Sequence, residues 1–347
     1  MGGSYYSKDD YKSRTSMRSM FSTSHGISMD DATFKHSHDI KTGAAEAKVH
    51  DSLSPKGVKI RESRDSDAHP VSVPIAVITD TTGSMMDVPK MLQKELSKLM
   101  GHFLDDKASG KKYLGEGYPA IMIGAVDDYD AMSRYFGKPD GSFQIGQFES
   151  GIEIDDNLSN LWLTNHGGGT YEEEYELAVY FMARHTVHDH FEKRGRKGYL
   201  FIIGDEHAYD VLGKHKVKDV IGDVIQDDIA FPALLKEAQE RYHVFFVIPN
   251  MTSHYSDKSL EKYWVNLIGQ QNVIKLENPA KICECIVSAV AICEEYVGID
   301  DLVSDGIADV GISSALVPLS KATGEVSRYS AENLPAVAGA AGGVDRL

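Results

Sequence analysis

Between residues 71 and 297 the hydrophobic positions alternate between two periods. Segments 73–79, 120–126, 198–204 and 243–249 are near-continuous apolar runs of strand length, as strands buried on both faces require. Segment 272–276 is a shorter run of the same kind, and 143–148 alternates like a half-exposed strand. In 88–104 the residues Met91, Leu92, Leu96, Leu99 and Phe103 recur at helical spacing. Segments 158–163, 171–185, 232–242, 260–269 and 281–297 also read as helices. Strands alternating with helices predict an α/β fold, a doubly wound and mostly parallel six-stranded sheet of Rossmann-like type flanked by helices.

Both flanks lack this pattern. Residues 1–70 read as an irregular arm and charged lead-in, disordered or ordered by a partner, with a short extended piece at 58–60. From residue 311 to 347 the chain is rich in Ala, Gly and Ser and reads as a flexible tail. The folded part is therefore expected at 71–310.

Charge sharpens the division. The chain of 347 residues has a formal net charge of −16, whereas residues 1–70 carry 11 Lys and Arg against 10 Asp and Glu. The acidity belongs to the domain, which argues against nucleic acid or an anionic membrane as a partner. Cys283, Cys285 and Cys293 share one apolar helical run and form neither a disulfide framework nor a paired zinc pattern, so they read as reduced core thiols. No apolar stretch approaches membrane-spanning length and no secretory leader pattern opens the chain, which gives a cytoplasmic expectation.

The chemistry begins at the carboxyl end of the first core strand. There the chain reads Asp80-x-Thr82-x-Ser84, one carboxylate and two hydroxyls at alternate positions. A glycine-rich loop, Asn165-His-Gly-Gly-Gly-Thr170, and a core strand ending in Asp205 supply two further oxygen donors. In a doubly wound sheet all three segments can meet at one carboxyl-end crevice. Two carboxylates and three hydroxyls are too few anions for a tight Ca²⁺ cage; they suit Mg²⁺, or Mn²⁺, in an octahedron that keeps waters and an open position.

This order of residues resembles the metal-ion-dependent adhesion site (MIDAS) of von Willebrand factor A domains. The resemblance covers about 71–297, and Thr82 stands where serine is commonest, keeping the hydroxyl. It implies that Thr82, Ser84 and Thr170 ligate the metal directly, while Asp80 and Asp205 act through water or hydrogen bonds. It also implies a module that shifts loops and its last helix on binding. Segments 61–70, 146–150 and 192–206 are similar to a bacterial and phage branch encoded beside MoxR-type AAA+ ATPases.

Other clusters weigh less. There is no G-x-x-x-x-G-K-[ST] and no G-x-G-x-x-G at a strand-to-helix turn, so Gly167–Gly169 serve the bend before Thr170, not a nucleotide. Glu206, His207 and Asp210 read as a solvated loop beside the metal, Glu172–Glu174 as a helix N-terminus, and Asp127, Asp128 and Asp130 either as a source of negative potential or as a solvated turn. His185, His188 and His190 do not share a face and read as structural. No nucleophile, triad or H-E-x-x-H helix is present. The expected function is thus a non-catalytic, Mg²⁺-dependent protein-binding module that captures an acidic residue of a partner, an AAA+ ATPase or its substrate. The alternatives are a phage or particle assembly protein that self-associates through its arm, and a metal-dependent hydrolase.

Overall fold

The computed structural model describes residues 8–96, 98–104, 113–164, 166 and 171–330, with backbone alone at 8, 93, 104 and 324–330. Its centre is the expected six-stranded sheet: β1 (Ser72–Asp80), β2 (Tyr118–Val126), β3 (Phe143–Ile145), β4 (Gly198–Ile203), β5 (Tyr242–Pro249) and β6 (Val273–Leu276). The spatial order is β6-β5-β4-β1-β2-β3, and all neighbours are parallel except β3, which runs antiparallel to β2. Strand order reverses between β1 and β4, so the crevice at that switch point lies outside the ends of these two strands.

Nine helices carry the rest of the argument: α1 (Lys8–His25), α2 (Lys35–Thr42), α3 (Val88–Leu96), α4 (Glu153–Asn160), α5 (Tyr175–Arg184), α6 (Phe231–Gln239), α7 (Lys258–Ile268), α8 (Ile282–Cys293) and α9 (Val310–Ser330). Because side chains alternate along a strand, each face of the sheet builds its own core. Ile75, Val77, Ile123, Phe201 and Val247 face α3, α8 and α9; Ala76, Ile78, Leu200, Ile202 and Phe246 face α5, α6 and α7. Burying each large apolar side chain contributes roughly 1.5–3 kcal/mol. The three cysteines are free thiols on α8.

Four local differences from the sequence expectation are instructive. The helix expected over 88–104 is α3 followed by a second segment, Leu99–Leu104. β3 is short and fully buried where a half-exposed strand was expected, because Ile145 also bonds the backbone of Leu53. The described part of the arm is helical and docked: Arg18 meets the buried carboxylate of Asp155 at 2.6 Å, Arg14 meets Asp156 at 2.8 Å, and Ser37 bridges Leu161 and Leu163. Ion pairs and single anchors such as Phe34 and Leu53, not an apolar stripe, hold it, which is why no period marks it. Residues 310–330 form α9, whose Ile312, Leu316 and Leu319 are buried at helical spacing despite the Ala/Gly/Ser-rich composition; the tail beyond 330 lies outside the described residues. No helix among the described residues is long and apolar enough to cross a membrane.

Candidate metal centre

At the carboxyl end of β1 the chain turns on its own side chains. Asp80 Oδ1 accepts from the Thr82 backbone N–H at 2.8 Å and from the Thr82 hydroxyl at 2.6 Å. Thr82 then opens a short 3-10 turn, Gly83–Met85, and presents its hydroxyl 3.1 Å from that of Ser84. Ser84 donates to Asp205 Oδ1 at 2.7 Å, just past β4. Asp80, Thr82, Ser84 and Asp205 thus form one continuous chain of oxygens at the switch point. Thr170 and the glycines before it lie outside the described residues.

The surrounding residues fix this chain from two sides. Tyr175, at the start of α5, donates its hydroxyl to Asp80 Oδ2 at 2.7 Å, and its ring stands edge-on to Phe246 and Trp264. Gly204 makes room for it: a Cβ there would lie 2.0 Å from the Tyr175 hydroxyl oxygen. On the other side the loop after β5 closes in, His254 donating its backbone N–H to Asp205 Oδ2 at 3.1 Å and Ser253 donating twice to the Ser84 carbonyl. Tyr175 had no signal in the sequence, since its partner is 95 positions away.

The electrostatics are one-sided. Asp80 and Asp205 are fully buried, and among the described residues no lysine or arginine pairs with either. Burial, and then the charge of Asp205, push the Asp80 carboxyl well above the usual range. Asp127, after β2, is pushed up to about 7 by burial, although it accepts from Thr81 and Thr164. Burial, the charge of Asp80 and contact with Glu206 raise Glu173; burial also raises Glu206. Glu206 is therefore not a solvated loop residue, nor are Asp127 and Asp128 a solvated turn: all three are buried. Glu174 and Glu176 share Lys216, which lies 2.6 Å from Glu174.

Such a surplus of buried carboxylates is costly unless a cation balances it. The geometry accepts one. An octahedral Mg²⁺ with bonds near 2.1 Å has oxygen–oxygen edges of about 3.0 Å, and the Thr82–Ser84 hydroxyl separation of 3.1 Å matches such an edge. Among the described residues no three His, Cys, Asp or Glu side chains gather as ligands; the oxygens that converge are two hydroxyls and two carboxylates. The histidines are elsewhere: His185 bonds Asp223 at 2.8 Å, His188 caps Phe191, and His190 faces Glu294, all as structural residues.

Comparison with known proteins adds likeness of form. No protein-family model matches the sequence. No curated protein matches it either. Among solved structures, proximal thread matrix protein 1 from the mussel byssus aligns over 64% of this chain and 48% of its own, at 9% identity and a TM-score of 0.38. The same mussel protein with a zinc-occupied MIDAS motif aligns over the same shares at 10% identity and 0.38. The pilus adhesin SpaC from Lactobacillus rhamnosus GG aligns over 71% of this chain and 32% of its own, at 10% identity and 0.40. The chain thus spans about half the length of the mussel protein it matches.

Proposed function

We propose that this protein is a non-catalytic, Mg²⁺-dependent protein-binding module of the von Willebrand factor A type, whose metal captures an acidic residue of a partner. The observation that carries the reading is the oxygen chain Asp80–Thr82–Ser84–Asp205 at the switch point, whose two buried carboxylates have no lysine or arginine partner among the described residues. Thr82 and Ser84 would hold the metal, with Thr170 as a third hydroxyl ligand. Asp80 and Asp205 would orient those hydroxyls and compensate the charge. When bound, the metal supplies a Lewis-acidic position that a carboxylate can fill; the protein's own part is to keep the donors fixed through Tyr175, Gly204 and the loop at Ser253–His254. A hydroxyl-rich set of this kind leaves the metal electrophilic toward an outside anion, which favours adhesion over tight storage.

A MoxR-type AAA+ ATPase, or a protein it remodels, is the partner we put first. The test is calorimetric titration with Mg²⁺, Mn²⁺ and Zn²⁺ of the wild type and Asp80→Ala, followed by capture of a purified MoxR-type AAA+ ATPase with and without EDTA. Mg²⁺ binding lost in Asp80→Ala, with capture lost in EDTA, is the expected result. Capture that survives both treatments overturns the metal-dependent reading and favours an assembly role. Phosphatase or esterase activity that appears with Mn²⁺ and vanishes in Asp205→Ala would overturn the non-catalytic one.

A further inference from the structure

Among the described residues, three that are not glycine hold a positive φ: Met86, Met251 and Glu295. Two of the three flank the metal centre, and both carry a long apolar side chain into solvent. Met86, at φ 54° and ψ −121°, ends the turn that begins at Thr82 and is 59% exposed. Met251, at φ 73°, follows β5 and is 54% exposed. Their loops are tied together, because Ser253 donates both its N–H and its hydroxyl to the Ser84 carbonyl. Tyr171, 70% exposed, completes the rim with its ring edge-on to His254, whose backbone N–H holds Asp205.

Glycine would take these backbone conformations without the crowding a Cβ introduces. Methionine gains nothing in the core from being there. Strained positions that present exposed side chains around a functional centre are characteristic of binding surfaces, and flexible methionines suit apolar contacts that must adapt to their partner. We infer that Met86, Met251 and Tyr171 form an apolar collar around the metal, and that its occupant is a protein segment with one acidic residue set between apolar side chains.

This rests on the proposal that the metal takes a partner carboxylate. Charge selects the kind of segment. The chain carries a net charge of −16, so a partner rich in acids is repelled before it arrives, and a single carboxylate is all the metal needs. The remaining affinity must then come from apolar contact around that carboxylate, which is what the collar offers. The same charge disfavours an anionic membrane.

The test uses the full chain and three fluorescent peptides, read by polarisation in excess Mg²⁺ and in EDTA. One peptide has a central aspartate flanked by leucine and phenylalanine, one has that aspartate flanked by serines, and one has an asparagine flanked by leucine and phenylalanine. The first is expected to bind in Mg²⁺ at least ~10-fold more tightly than the second, and to lose that advantage in the double variant M86G/M251G. Mg²⁺ affinity by calorimetry should stay unchanged in that variant. Tyr171→Ser should reduce the same preference without touching either methionine loop. Equal affinity for the two aspartate peptides overturns the collar and leaves the metal reading standing. Tight binding of the asparagine peptide, insensitive to EDTA but lost in M86G/M251G, overturns carboxylate capture and leaves the collar standing. No binding by any peptide overturns both, and binding of wild type but not M86G/M251G to zwitterionic vesicles replaces the protein segment with a lipid surface.

Discussion

The two ends of the central sheet use the same acidic residues to opposite effect. At the amino end the carboxylates meet cations: Arg196 meets the buried Glu294 at 2.5 Å, Arg64 and Lys193 meet the buried Asp189 at 2.8 and 2.7 Å, and Arg194 meets the partly buried Asp65 at 2.6 Å. Burial alone would raise Glu294, but the contact with His190, the hydrogen bond from the Tyr199 hydroxyl and the charge of Arg196 hold it below the usual range. Asp189 is held down in the same way by Lys193, the Asp65 backbone N–H and Arg64. At the carboxyl end Asp80, Asp127, Glu173 and Glu206 are all raised. A carboxylate held low stabilises a fold, whereas a raised one is a cost that persists because something else needs the charge. The amino end is a finished structural joint; the carboxyl end, in the function we propose, needs a cation to become one.

Carboxylate-to-amide substitutions should break this comparison most visibly. Glu294→Gln takes the charge away from the buried Tyr199 hydroxyl and the half-exposed Arg196, and should destabilise the protein by about 1.5–3 kcal/mol in denaturant titration, with Mg²⁺ affinity unchanged. Asp80→Asn should do the reverse. It removes one of two facing buried charges while an amide can still meet the Thr82 and Tyr175 groups, so stability in EDTA should hold or rise by about 1 kcal/mol. The added stability from Mg²⁺, about 2.7 kcal/mol at a hundredfold excess over Kd in the wild type, should disappear. A stabilising Glu294→Gln or a strongly destabilising Asp80→Asn would refute the contrast.

How far this was legible in the chain follows from the range of each signal. The strands of the sheet and the positions of Asp80 and Asp205 are local facts, since an apolar run and the residue that ends it are adjacent in sequence. The burial of Glu173, Glu206 and Asp127 is not local. An acidic residue reads as solvated by default, and only the convergence of loops after β1, β2 and β4 buries these. Gly204 reads as an ordinary strand end until Tyr175 is seen to occupy the space of its missing Cβ. The arm and α9 were hidden for another reason: their anchors are sparse ion pairs in one and three apolar residues in a small-residue background in the other.

pH should separate the two ends next. For Asp127 the folded value is raised to about 7 from 3.8, so its protonated form is favoured by folding. The stability it contributes is complete below about pH 4 and is lost as pH rises toward 7. For Glu294 and Asp189 the folded values are depressed, and their contribution is present above the unfolded value and lost as pH falls through the folded one. In EDTA the protein should therefore be most stable in mildly acid solution and lose roughly 2–4 kcal/mol by pH 7. Saturating Mg²⁺ should flatten that alkaline side and leave the acid side unchanged. Thermal unfolding across pH 3–8 with and without Mg²⁺ reads both arms; an alkaline decline that Mg²⁺ does not repair would show that the buried acids answer to something other than a metal.

The smallest expected effect is that of Met86, the neighbour in sequence of Met85. Met85 is fully buried in the core beneath the metal turn, and Met85→Ala should cost about 2–5 kcal/mol as a cavity. Met86 is exposed and held at φ 54°, a conformation that costs a non-glycine residue about 1–3 kcal/mol. Met86→Gly relieves that strain and buries nothing less, while the freer unfolded chain takes back about 0.5–1 kcal/mol. The net is a gain of about 1 kcal/mol, a few degrees in Tm. A variant that becomes more stable as it loses partner affinity would mark Met86 as held in place for binding at the expense of the fold. If Met86→Gly leaves both unchanged, the strain is incidental and the carboxyl end owes its character to charge alone.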